Sequence, residues 1–364
     1  MQVLFKGAAI PTVEKEVVIY DPHRLGTNLG LESLLDREME AKTPMTKDYD
    51  SQSSTQLAAS LLNVGRVTEA LQLYKQEAVV HIADFGSATG LNTMKAFTPA
   101  LWKLREDSSA EVVVHHVDIP SNHWETVFDN YWNSEFSYRE VSGVYAEAAG
   151  GSLYRRMFPA SFLSLVYSSS TLHWLSELLP VTAETDPGEL NRALKELSHR
   201  DLHTFLSHRY EELRTGGRII TRAPISNFYK DLIAYLTDSP ALQSLPKHFF
   251  LSLTTRVRFR SLADYQAVLE SFPEKYRVLE LSEEVRVHPV FAVLRESGDR
   301  EKFTEKMLSE VFAVASSTLQ TVTQGLGVEA GALAEVFKAG VRQFFLTTED
   351  RGVYHDAVLV LEKV

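Results

Sequence analysis

From Leu57 onward the apolar positions Leu57, Leu61, Val64, Val67, Leu71 and Tyr74 recur at intervals of three and four. That spacing predicts one face of a helix of roughly five turns. The pattern then changes period. "VVHIADFG" (79–86) reads as a buried strand, "TMKAFTPALWKLRE" (93–106) as a helix, and "EVVVHHVDIP" (111–120) and "FLSLVYSSS" (162–170) as further strands. A long helical stretch, "GELNRALKELSHRDLHTFLSHRYEELRTGG", runs over 188–217 and leads into the strand "RIITRAP". Strands alternating with helices predict an α/β fold, a doubly wound and mainly parallel sheet covered on both faces. Residues 228–345 read as mostly helical and "YHDAVLVLEKV" closes the chain as a strand. The expected organisation is an N-terminal segment of unassigned role (1–48), a core (49–227), an α-helical cap (228–345) and a final strand returning to the core sheet (346–364). In the first segment "EKEVVIY" suits a short strand and "LESLLDREMEAK" a helix.

Composition narrows the classes. A chain of 364 residues with 44% hydrophobic content buries a large core. No apolar run reaches roughly 18 residues and no charged-then-apolar leader is visible, so the expectation is a cytoplasmic protein without a membrane span. The chain has no cysteine, which excludes disulfides, thiolate metal sites and a cysteine nucleophile. A net charge of -11 argues against nucleic acid as the main partner, because phosphate binding needs clustered Lys and Arg.

The first chemical signal is the turn in "HIADFGSATGLN". An apolar strand ends in Asp84, and Gly86 and Gly90 flank a short loop before a helix. Glycine permits close backbone approach to a ligand, and a helix start offers unpaired N–H groups. A second strand ends in Asp118, where a carboxylate can accept both ribose hydroxyl protons. The separation from Gly86 exceeds the ~20 residues of the dinucleotide fingerprint, and the full G-x-G-x-x-G pattern is absent. This weakens NAD and favours S-adenosylmethionine.

Six stretches carry a family resemblance: "DYDSQSSTQ", "IADFGSATGLN", "VDIPSNHWE", "GSLYRRMFP", "SSSTLHWLS" and "RDLHTFLSHRYEELRTGGRII". In this order they resemble the plant-type SABATH methyltransferases over about residues 45–225. That family has a Rossmann-like methyltransferase fold. It methylates carboxylates of small acids such as salicylate, benzoate, jasmonate and indole acetate, and in one branch ring nitrogens of purine alkaloids. The resemblance implies S-adenosylmethionine as cofactor, S-adenosylhomocysteine as product, a small carboxylic acid as substrate and a homodimer. It aligns Tyr49, Ser53 and Gln56 with cofactor contacts, Gln56 lying between cofactor and substrate carboxylate. Asp84, Gly86 and Asn92 match the turn holding the methionine part. Asp118 and Ile119 match the pair holding ribose and adenine, and Ser152 and Leu153 the pair beside adenine. Trp174 takes the position of the tryptophan that hydrogen-bonds the substrate carboxylate, with His173 lining the pocket.

The chemistry makes such roles sensible. A methyl on a sulfonium is already activated, and a carboxylic acid with a pKa of about 4 is ionised at neutral pH. Ester formation then needs alignment, which contributes several kcal/mol when reacting atoms are held in line. A Trp indole N–H and a Gln amide are neutral donors suited to orienting an anion. No Ser/His/Asp or metal constellation is evident. Two other readings stand beside this one: an N- or O-methyltransferase of a heterocycle with His173 assisting proton removal, and a non-catalytic ligand-binding homologue. Ser170 departs from the family pattern, replacing an aromatic ring with a small hydroxyl, and residues 45–48 lack the family's glycine pair. His115 and His116 point to opposite faces of a strand and so do not share a metal. The helix bearing "HRDLHTFLSHRYEEL" is expected to cover the sheet with a polar outer face.

Overall fold

The computed structural model describes Met45, Tyr49 and residues 53–226, 229–242, 247–326, 330–349 and 353–364. The expectations for 1–48, Met45 apart, lie outside the described residues. Ala41–Val364 forms one compact unit.

Two short helices, α1 (Ser54–Leu61) and α2 (Val64–Gln72), lead into the alternating core. There β1 (Val79–Phe85), α3 (Leu91–Arg105), β2 (Glu111–Asp118), α4 (Trp124–Asn133) and β3 (Val144–Gly150) follow in turn. The chain then crosses back to β4 (Leu163–Ser169), the long α5 (Pro187–Glu212) and β5 (Leu213–Ser226). A helical region contains α6 (Tyr229–Asp238), α7 (Lys247–Leu253), α8 (Leu262–Leu269), α9 (Pro289–Ser297), α10 (Arg300–Leu326) and α11 (Ala330–Thr347). It is interrupted by β6 (Tyr276–Val287), and β7 (Val353–Lys363) ends the fold. The seven strands form one sheet in the order β3-β2-β1-β4-β5-β7-β6. Pairs among β1 to β5 are parallel, and β7 runs antiparallel between β5 and β6. The doubly wound, mainly parallel sheet is therefore as expected, and β7 returns to it.

Alternation along β1 explains how helices come to cover both faces. Val80 and Ile82 join Leu71, Phe97 and Leu101 on one side, while Ala83 and Phe85 join Leu202 and Phe205 on the other. Each of the buried Val, Ile, Leu and Phe side chains contributes roughly 1.5–3 kcal/mol relative to exposure. The cap has its own core, in which Leu232, Phe249, Phe291, Phe303, Met307 and Phe345 pack together.

Several elements differ from the expectation, each for a physical reason. The single helix over 57–74 is two, because Asn63 turns fully inward, accepting from Arg222 Nε at 3.1 Å and donating to the Tyr167 hydroxyl at 3.4 Å. Leu61 lies exposed beside the break. The helix over 188–217 stops at Glu212, and Leu213–Gly217 already belong to β5. Residues 276–287, expected within a helical cap, form the outer strand of the sheet. Tyr265, Val268, Phe272 and Tyr276 pack into the sheet's own core instead of the cap's.

Candidate functional site

The chain order reverses between β1 and β4, and open α/β sheets leave a ligand crevice at that point beyond the carboxyl ends of the strands. The glycine-rich turn fills one side of it. Gly86 sits at φ +91°, with its N–H donating to Val117 O at 2.8 Å. A Cβ there would lie 2.2 Å from the Thr171 hydroxyl oxygen, so only glycine lets the turn pack against the loop after β4. Gly90, at φ +79°, opens α3. Across the crevice the Asp118 carboxylate accepts from the Ala88 and Ile119 N–H groups, both at 2.8 Å, which fixes the turn to the end of β2.

An open cavity of about 1210 Å³ occupies the crevice. Of the residues expected to hold a cofactor, Tyr49, Gln56, Gly86, Asp118, Ile119 and Leu153 line it. Ser53, Asp84, Asn92 and Ser152 stand outside the lining. Asn92 Nδ2 donates to Ser53 Oγ at 3.2 Å, and Thr93 Oγ1 donates to the Asp84 carboxylate. Those side chains support the wall from behind.

A second cavity, of about 810 Å³, lies toward the cap. Gln56, Ser170, His173 and Trp174 line both cavities, so the four residues expected to hold an acceptor form the wall the two spaces share. The loop that carries three of them is anchored throughout. Ser170 N–H donates to Arg222 O at 2.8 Å, Tyr154 OH to Trp174 O at 2.5 Å and Ser176 N–H to Asp201 Oδ2 at 2.8 Å. Arg258 N–H reaches His173 O at 2.8 Å, and the buried Arg260 guanidinium holds Leu172 O. Ser170 adopts φ +56°, a left-handed backbone that costs a non-glycine residue about 1 kcal/mol and needs such anchoring to persist.

Burial controls the protonation of this region. It pushes the His173 imidazole down to about 3, with the Arg260 cation adding in the same direction, so the ring is neutral at physiological pH. The ring stacks obliquely between Trp174 and Phe259 at 5.6 and 5.7 Å. Its Nδ1 and the Oε1 of Gln56 are buried without a hydrogen-bond partner among the described residues. Asp84 is raised to about 7 by burial, against the hydrogen bond from Thr93.

α5 covers the sheet with its apolar face, as expected, but some of its charged residues turn inward. Arg209 and Glu212 are wholly buried and paired at 2.7 Å. Arg209 also donates to Leu153 O and Arg155 O at 2.9 and 2.7 Å, while Glu212 accepts the Met157 and Phe158 N–H groups. The pair thus pins the segment that brings Leu153 and Tyr154 to the larger cavity. His115 and His116 do face opposite ways: His115 meets His81 at 3.1 Å and Glu147 at 3.0 Å, and His116 meets the Tyr138 hydroxyl at 2.9 Å. Sequence reasoning missed Arg256 at the first cavity, and Phe259, Arg286 and Glu310 at the second. These residues belong to the cap and to β6, where no motif marks them.

No described helix is long and apolar enough to cross a membrane. Residues 44–232 match the SAM-dependent carboxyl methyltransferase family, more than half of the chain. The chain is 28% identical over 159 residues to S-adenosyl-L-methionine:benzoic acid/salicylic acid carboxyl methyltransferase 3 of Petunia hybrida, covering 38% of this chain and 44% of that one. It is 27% identical over 194 residues to gibberellic acid methyltransferase 2 of Arabidopsis thaliana, covering 46% and 50%. The chain thus spans about half the length of the curated relatives it matches. A solved loganic acid methyltransferase with SAH has the same fold at a TM-score of 0.69, with 18% identity over 88% of this chain and 98% of that one. With its motifs, its sheet order and this match in agreement, the chain belongs to the SABATH family of SAM-dependent carboxyl methyltransferases.

Proposed function

We propose that the protein transfers the methyl group of S-adenosylmethionine to the carboxylate of a small apolar or aromatic acid, giving a methyl ester and S-adenosylhomocysteine. The observation that carries the reading is the wall of Gln56, Ser170, His173 and Trp174 common to two cavities. A group transferred between two ligands passes where their spaces meet.

The lining of the larger cavity fits a nucleoside with a charged side chain. The Asp118 carboxylate accepts the Ala88 N–H on Oδ2 and the Ile119 N–H on Oδ1, and in this reading the same carboxylate also receives the ribose hydroxyls. Val117, Ile119 and Leu153 supply apolar surface for a flat base. When bound, the cofactor supplies a methyl on a cationic sulfur. Gln56 and Trp174 are neutral donors on the shared wall, and in this reading they hold one carboxylate oxygen in line with that methyl while leaving its charge intact. A pKa of about 3 makes His173 a poor proton acceptor, which favours an acceptor that arrives already ionised. Its ring instead keeps Trp174 in place and excludes water from the wall. The second cavity takes the rest of the acid against Val257, Phe259, Val311 and Ala315.

The test is the pair of substitutions Trp174→Ala and Gln56→Ala made together. Methyl transfer to acids should be lost, with affinity for S-adenosylhomocysteine kept within a few-fold by calorimetry. Retained turnover would sink the assignment of the carboxylate clamp.

A further inference from the structure

Arg286 projects from the outer strand β6, directly across from Tyr354 of β7, and lines the second cavity only. It is 7% exposed. Its side-on pair with the fully buried Asp356 uses Nε, at 2.6 Å from Oδ2, and Nη2, at 3.4 Å from Oδ1. The planar guanidinium has five N–H groups in a fixed fork. A carboxylate gripped along the Nε/Nη2 edge therefore leaves both hydrogens of Nη1 directed elsewhere. Nη1 is buried and has no hydrogen-bond partner among the described residues. The neighbouring Arg222 is different: its Nε, Nη1 and Nη2 are taken by Asn63, Asp356 and Glu284. A buried donor left unpaired is costly, and a ligand oxygen that pairs it gains correspondingly.

The charge around Arg286 restricts what that oxygen can be. Asp356 already receives two guanidinium groups, and Glu310 borders the same cavity, with Oε2 accepting from Thr55 at 2.7 Å. A second carboxylate on the ligand would meet the Glu310 carboxylate, whereas a hydroxyl or carbonyl oxygen meets no such repulsion. We propose that Arg286 is a specificity-determining residue, whose Nη1 donates to a neutral hydroxyl or carbonyl oxygen of the acid, away from the wall formed by Gln56 and Trp174. The acceptor class is then a hydroxy- or oxo-substituted monocarboxylic acid. This rests on the reading of the second cavity as the acceptor space.

The test measures acid binding by equilibrium dialysis in the presence of S-adenosylhomocysteine, with methyl transfer followed in parallel. The probes are matched pairs: phenylpropanoic acid against its para-hydroxy derivative, and octanoic acid against its oxo derivatives. Wild type should bind at least one oxygenated acid about tenfold tighter than its parent, the effect of one hydrogen bond from a charged donor. In Arg286→Met that ratio should collapse to about one, with the parent acid bound within a few-fold of wild type. Arg286→Lys keeps a cation beside Asp356 while removing the second arm of the fork, and should lose the preference too; because each ratio is internal to one protein, partial unfolding cancels. Absence of any preference in wild type, or its survival in both variants, overturns the proposal. Preference in binding without methyl transfer would strike the methylation reading and leave the Arg286 subsite standing. No binding of any acid would overturn both.

Discussion

Lowering the pH separates an ionised acceptor from one that needs a base. Burial and Arg260 hold His173 at about 3, so more than roughly 99% of the ring is neutral at pH 5.5. A carboxylic acid of pKa about 4.3 is still about 95% ionised there. With cofactor and acid saturating, turnover per folded molecule at pH 5.5 should stay within about 10% of its value at pH 8. If His173 acted as a base with an ordinary pKa of about 6.5, the neutral fraction would fall to about 9%, and turnover about tenfold. The folded fraction must be followed by circular dichroism in the same buffers, because stability itself changes. His116, His173 and His288 are held at about 4, 3 and 3 by burial, so the folded state binds fewer protons than the unfolded chain. Stability is therefore lost as pH falls through about 6.5, by about 1 kcal/mol per histidine between pH 6.5 and 5.5. Asp84, raised to about 7, works in the opposite sense over that window and returns about 1 kcal/mol. A tenfold fall in turnover per folded molecule, with a midpoint near 6.5, would refute the claim that no residue acts as a base.

Two other perturbations probe the architecture. Asp118→Asn keeps an acceptor for one of the backbone N–H groups but removes the charge, and affinity for S-adenosylhomocysteine should fall about 100-fold or more by calorimetry, because two charge-assisted hydrogen bonds from the ribose hydroxyls are weakened; unchanged affinity would contradict the placement of the ribose. Arg209→Met leaves Glu212 buried without its cation, and urea unfolding should show a loss of about 3–5 kcal/mol. Adding Glu212→Gln should recover part of that loss. If the single variant is as stable as wild type, the pair does not hold the segment at Leu153.

The parts of the fold legible in the sequence are those buried on both faces. β1 and β4 are mostly apolar and buried over most of their length, and the glycine turn announces itself because Gly86 has no room for a side chain beside Thr171. The unread elements are peripheral. β3 and β6 are the two edge strands, and their residues alternate poorly because little of either is buried. α4 is peripheral too: Trp124, Val127, Phe128, Tyr131 and Trp132 recur at helical spacing, yet only Val127 among them is buried. The candidate site divides in the same way. Gln56, Asp118, His173 and Trp174 sit in local motifs and were readable. Arg286 and Glu310 reach the second cavity only through long-range packing of β6 and α10, which no spacing in the chain encodes. The inward turn of Asn63 is likewise set by Arg222, 159 positions away.

The most direct measurement of the central claim is the transfer of a radiolabelled methyl group from S-adenosylmethionine to a panel of free acids, their amides and matched heterocycles. The account predicts incorporation into acids alone, released by mild base as expected of an ester. Label in amides or heterocycles that resists base, or none in any acid, would contradict it.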